Sequence, residues 1–128
     1  MKLRIHGQSI RVRVDRRDLE QLLHEGRVTD EAAFGDEPDR CISCLLEIAG
    51  PPDSLPSVDY HRGRFVIQLG RDTANDWRNS DQVGFKTTRD EGGRMIRLTL
   101  EKDFACLDRA VGEEREDAYA FLNPAEHC

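Results

Sequence analysis

The residues with the most chemical reach in this 128-residue chain are Cys106, His127 and Cys128. A strand-like run, Ile96-Arg97-Leu98-Thr99-Leu100, leads to Cys106, and a charged segment separates that thiol from His127 and Cys128. Thiolate and imidazole are ligands for zinc or copper, and two thiols can also oxidise to a disulfide. Three readings stay open: inert thiols, a disulfide between Cys106 and Cys128, or a zinc or copper site built from Cys106, His127 and Cys128. A reducing cytosol counts against the disulfide, and no fourth ligand is evident for a metal. In either bonded form the two thiols make a clasp. A segment with many charges and little apolar content has little reason to order unless its end is held. The sequence therefore predicts Cys128 near Cys106, with Asn123-Pro124 turning the chain back.

Cys41-Ile42-Ser43-Cys44 has the C-x-x-C spacing of zinc sites and redox pairs. Its context is a strand, where residues three apart point to opposite faces. Ile42, Cys44, Leu46 and Ile48 fall on one face, which makes Cys44 a small buried hydrophobe and leaves Cys41 on the other. Lys102 sits in the buried phase of the strand from Ile96. It reads as a strand-end lysine whose stem packs while its ammonium reaches a polar partner, rather than as a nucleophile or base. His6, His24 and His61 form no close pair, no serine lies in a nucleophile elbow, and Gly92-Gly93 makes a hairpin turn rather than a phosphate cradle. The enzyme reading therefore ranks below binding and below metal binding.

These residues need elements to position them. The length suits one α+β domain over residues 1–128. Leu3 and Ile5, then Ile10, Val12 and Val14, alternate with basic residues about a Gly7-Gln8-Ser9 turn, the pattern of a hairpin with one buried and one basic face. Asp15 and Asp18 form a capping box for a helix over 15–25 that buries Leu19, Leu22 and Leu23 and ends at Gly26. Residues 27–40 read as a connection anchored by Val28 and Phe34. Strands follow at 41–48 and 65–69, separated by a mobile Pro-rich loop at 50–56. Asp72 caps a short turn carrying Trp77, a lid on the core. Residues 83–104 make a second hairpin. The whole predicts a curled antiparallel sheet of about six strands on one principal helix, without internal repeats.

Charged residues make up 34% of the chain and the net charge is −6, yet residues 1–17 carry six cations against Asp15 alone. Residues 101–128 carry eight acids against Lys102, Arg109 and Arg115. An acidic protein lacks the uncancelled positive field that nucleic acid binding needs, so no nucleic acid partner is expected. Basic ribbon and acidic tail either face each other, within a chain or across a dimer, or stand as separate solvated faces. No apolar run approaches the roughly twenty residues that span a membrane, and no signal-like apolar region opens the chain. The expectation is a cytoplasmic protein with a protein partner or self-association.

Several blocks together resemble a family of small uncharacterised bacterial proteins, a domain of unknown function. They are Met1-Lys2-Leu3-Arg4-Ile5 with Gly7, Ser9-Ile10-Arg11-Val12-Arg13, Trp77 with Val83-Gly84-Phe85, Glu101-Lys102-Asp103-Phe104, Cys106-Leu107, Asn123-Pro124 and Cys128. The resemblance implies no reaction. It implies that Cys106 and Cys128 belong to the family pattern and that the Cys41/Cys44 pair does not. The expectation is a non-enzymatic binding or interaction domain with a Cys106–Cys128 clasp, the alternative being a zinc or copper protein.

Overall fold

The computed structural model describes residues 1–104. The alternation at its start yields strands β1 (Lys2–His6) and β2 (Ser9–Val14), paired antiparallel with Leu3 opposite Val12 and Arg4 opposite Arg11. Gly7 turns the hairpin at φ 57°, where a β-carbon would be strained. Helix α1 (Arg16–Glu25) follows, with the expected capping box: Asp18 N–H donates to Asp15 Oδ1 at 2.8 Å, and Asp15 N–H donates to Asp18 Oδ2 at 2.9 Å. That backbone hydrogen bond also holds the Asp15 carboxyl below its usual range. Gly26 ends the helix in the left-handed region, its N–H donating to the Leu22 carbonyl. Leu19 and Leu22 are buried, and Leu23 is half-buried.

Six further strands complete the fold: β3 (Arg27–Ala33), β4 (Cys41–Ile48), β5 (Ser57–His61), β6 (Arg64–Leu69), β7 (Gly84–Glu91) and β8 (Arg94–Lys102). A second helix, α2 (Arg71–Arg78), precedes β7. The α+β class holds, but the single curled six-stranded sheet on one helix does not. The strands form two four-stranded sheets, ordered β1-β2-β8-β7 and β3-β4-β6-β5. Each is a pair of antiparallel hairpins joined at its centre by parallel strands, β2 with β8 and β4 with β6. The two predicted hairpins thus lie in one sheet as neighbours.

The topology is also a duplication that the sequence reading did not find. Residues 2–48 run β-hairpin, α1, β-hairpin, and residues 57–102 repeat that order around α2. Each half gives its first hairpin to one sheet and its second to the other. The parallel registers match: Ile10 opposite Leu98 and Val12 opposite Leu100 in one sheet correspond to Phe65 opposite Cys44 and Ile67 opposite Leu46 in the other. The core obeys the same exchange, with Val12, Val14, Leu19 and Leu22 answered by Ile67, Leu69, Ala74 and Trp77, all buried. Leu19 plus Leu22 in one half against Ala74 plus Trp77 in the other trades a small residue for a large one while filling a similar space.

Helices and linkers lie at one end of this sandwich, following the C-terminal ends of β2 and β6, and the four hairpin turns lie at the other. The Gly50–Pro56 segment, expected to be mobile, is tied to the helical end. The N–H groups of Asp72 and Thr73 both donate to the Pro52 carbonyl, and Gly70 N–H donates to the Ser54 carbonyl. A β-carbon on Gly70 would come within 2.3 Å of that Pro52 oxygen, so only glycine admits the approach. Gly70, rather than Asp72, is the N-cap of α2, and a linker carbonyl satisfies the donors that a side chain satisfies in α1. Residues 27–33 are a strand, not a loop. Val28 anchors it as expected, but Phe34 is 73% exposed at the hairpin end. Trp77 is fully buried, donating Nε1–H to the Val83 carbonyl at 3.2 Å and meeting Phe85 edge-on at 5.3 Å.

Candidate functional site

Alternation sets the outer face of the β1-β2-β8-β7 sheet. The core-facing phase is Leu3, Ile10, Val12, Val14, Leu98 and Leu100, so the opposite phase carries Lys2, Arg4, Arg11, Arg13, Arg97 and Lys86 outward. Glu101 is the carboxylate in the body of this face; Asp90 lies in the same phase at the β7–β8 turn, where it accepts the Gly93 N–H. Ser9, Thr88 and Thr99 add hydroxyls. Glu101 gathers two of the cations, with Arg13 Nε at 2.8 Å and Arg11 Nε at 3.5 Å. At the helical edge Lys2 Nζ meets Asp103 at 2.7 Å. Register places Lys2 opposite Arg13 and Arg4 opposite Arg11. Like charges directly opposite each other cost sheet stability, a cost that Glu101 beside Arg11 and Arg13 and Asp103 beside Lys2 offset. The predicted basic face of the first hairpin is thus present and extended by β7 and β8. Arg11 and Arg13 meet Glu101, and the residues of the acidic tail beyond Phe104 lie outside those described.

A second candidate lies where the sheets part at the hairpin end. A cavity of about 280 Å³ is lined by Ile10, Val58, Tyr60, Phe65 and Ile96, with Asp59, Arg89, Glu91 and Arg94 around its rim. The Tyr60 and Phe65 rings meet at 4.9 Å. Sequence reasoning missed this site because its residues come from five strands whose pairing local alternation does not encode. The signal available was the continuation of the apolar phase to the hairpin ends at Tyr60 and Ile96.

The sequence-predicted site residues Cys106, His127 and Cys128 lie outside the described residues, as does the predicted turn at Asn123-Pro124. Among the described residues no cluster of three or more His, Cys, Asp or Glu side chains is placed to hold a metal ion. Cys41 and Cys44 lie on opposite faces of β4, as their spacing on a strand predicts. Cys44 is buried and its thiol is pushed up to about 11 by burial, whereas Cys41 is half-exposed. Lys102 packs its stem at the strand end and donates from Nζ to the Ser80 carbonyl at 2.8 Å.

The two seams between the sheets are closed by equivalent positions in the two halves. On one, the Met1 ammonium contacts the carboxylate of Asp30 and lies 3.2 Å from Asp18. On the other, Thr87 Oγ1 donates to the Pro56 carbonyl at 2.9 Å. Burial alone would lower the Met1 pKa, but the Asp30 and Asp18 carboxylates outweigh it and hold the ammonium above its usual value.

A family model described as a family of unknown function (DUF7009) matches residues 1–125. No curated protein and no solved structure matches the chain. No helix among the described residues is long and apolar enough to cross a membrane.

Proposed function

Since the chain belongs to this family of unknown function, no reaction comes with the fold, and we propose that the protein is a non-enzymatic binding domain. Its working surface is the outer face of the β1-β2-β8-β7 sheet, and its partner is an acidic protein segment. The observation that carries this reading is the concentration of six cations, Lys2, Arg4, Arg11, Arg13, Lys86 and Arg97, on one outer sheet face. Glu101 and Asp103 neutralise part of this charge, and an anionic partner would complement the rest. Strand positions also hold the cations at fixed spacing, so binding orders little that was mobile. A short acidic segment fits better than nucleic acid, because the net charge of −6 opposes long-range approach of a polyanion. The Cys106–Cys128 clasp belongs to the same proposal as the device that organises the chain beyond β8.

The test is calorimetric titration of the full chain with a peptide of alternating glutamate and glycine. Binding should weaken as salt rises and be lost in the Lys86→Glu/Arg97→Glu double variant, two exposed residues whose reversal leaves the core untouched. Wild-type binding that ignores salt or survives the double reversal overturns the proposal. Tighter binding to duplex DNA than to the peptide overturns the choice of partner.

A further inference from the structure

The two ends of the sandwich are not equivalent. At the helical end α1 and α2 close over the core and are themselves tied by Arg78 to Glu20, Nε to Oε1 at 2.7 Å. At the hairpin end no element among the described residues covers the apolar phase. Val12, Leu46, Ile67 and Leu100 in mid-core are fully enclosed, but exposure rises to 55% at Ile5, 41% at Ile42 and 57% at Tyr60. These are core-phase positions, not scattered surface residues, and the duplication pairs them: Ile5 with Tyr60, Ile42 with Ile96, Ile10 with Phe65. An apolar mouth at the end of a β-fold is one of the places where small-molecule sites form.

The rim decides the ligand's polarity. Arg89 is committed, contacting Glu91, reaching Asp59 at 3.9 Å and donating to the Val58 carbonyl at 3.3 Å. The Arg94 guanidinium makes no ion pair or hydrogen bond among the described residues, although it borders the same cavity. Two carboxylates are thus matched by one guanidinium, and a second guanidinium stands beside an apolar hole.

We propose that the hairpin end binds a small amphiphilic anion, a medium-chain carboxylate. Its chain lies among Ile10, Val58, Phe65 and Ile96, its flank rests on Tyr60, and its head meets Arg94. At roughly 30 Å³ per water-sized group, the cavity of about 280 Å³ holds a chain the size of octanoate. This site is separate from the cationic sheet face, and either can fail without the other.

The test is a methyl NMR titration of the full chain with octanoate and, beside it, with 1-octanol, which shares the chain but lacks the charge. Saturable octanoate shifts should centre on Ile10, Val58 and Ile96. Arg94→Gln, an exposed change that leaves the core intact, should weaken octanoate about tenfold, the worth of one charge-assisted hydrogen bond, and leave octanol nearly unchanged. Ile96→Trp should fill the cavity and abolish both, with thermal melting confirming that the variant folds. Absence of saturable binding, equal octanoate affinity in Arg94→Gln, or a concentration-dependent dimer that covers the same methyls and that octanoate does not displace overturns the proposal.

Discussion

Glu101→Gln separates the stability of the cationic face from its binding. The Glu101 side chain is 16% exposed and lies against Arg13 at 2.8 Å and Arg11 at 3.5 Å. The amide of Gln can still accept from one guanidinium, so the hydrogen bond to Arg13 weakens rather than vanishes. What is lost is its ionic part and the attraction to Arg11. A charge-assisted hydrogen bond contributes about 1.5–3 kcal/mol and a neutral one about 0.5–1.5. The difference, reduced by the partial exposure of both arginines, predicts a cost of about 1 kcal/mol, or a Tm lower by roughly 3–6 °C. The same change removes the only acid that the described residues place in the body of a face that holds six cations. Affinity for the glutamate-glycine peptide should therefore rise about three- to tenfold at low salt and return towards wild type at high salt. Calorimetric melting and peptide titration on one preparation read both effects. A variant that binds the peptide no better, while melting lower, would show that Glu101 does not compete with the partner and would refute the binding reading of this face. An unchanged Tm would refute the electrostatic account of the pair.

Leu22 and Trp77 occupy equivalent, fully enclosed positions, so Leu22→Ala should cost about 2–5 kcal/mol and Trp77→Ala about 3–5, read by chemical denaturation. Alkaline pH should destabilise the fold. The Met1 ammonium has a raised pKa, so its contribution is full below the ordinary amino-terminal value near 8 and is lost as pH climbs through the raised one. Asp30→Asn should flatten that part of the stability–pH curve. Cys44 acts with the same sign, because its thiol is held up to about 11 against a usual 9.0, so unfolding gains a proton-releasing group above pH 9; Cys44→Ala should remove this second component. In alkylation of the native protein followed by peptide mapping, Cys41 should be modified well before Cys44, the two reacting alike only after unfolding.

What the sequence disclosed was local. The capping box of Asp15 and Asp18, the stop at Gly26, the alternation of the first hairpin and the opposite faces of Cys41 and Cys44 each depend on a few adjacent residues, and each is present. What it concealed was long-range. Nothing in Ser9–Val14 indicates that its partner is Arg94–Lys102, and nothing in Arg27–Ala33, where only Val28 is buried, announces a strand. Strand β3 forms because β4 offers it a hydrogen-bonding edge, a tertiary reason that outweighs its weak intrinsic preference.

The duplication shows why such information hides. Written at the level of residue class, Ile10-x-Val12-x-Val14-Asp15-Arg16-x-x-Leu19-x-x-Leu22 and Phe65-x-Ile67-x-Leu69-Gly70-Arg71-x-x-Ala74-x-x-Trp77 are the same phrase. Between these two stretches identity survives only at Arg16 and Arg71, because packing constrains summed volume and polarity rather than the residue at each point. The halves also cap their helices differently, Asp15 by its own carboxylate and Gly70 by admitting the Pro52 carbonyl, so even the start signals differ. Each half sends its hairpins to different sheets, so neither half buries its apolar faces alone. Among the described residues the same interlocking leaves one end capped by both helices and the other open. The open end therefore follows from the duplicated topology rather than from any local motif, whereas the basic face of the first hairpin was legible in its own alternation.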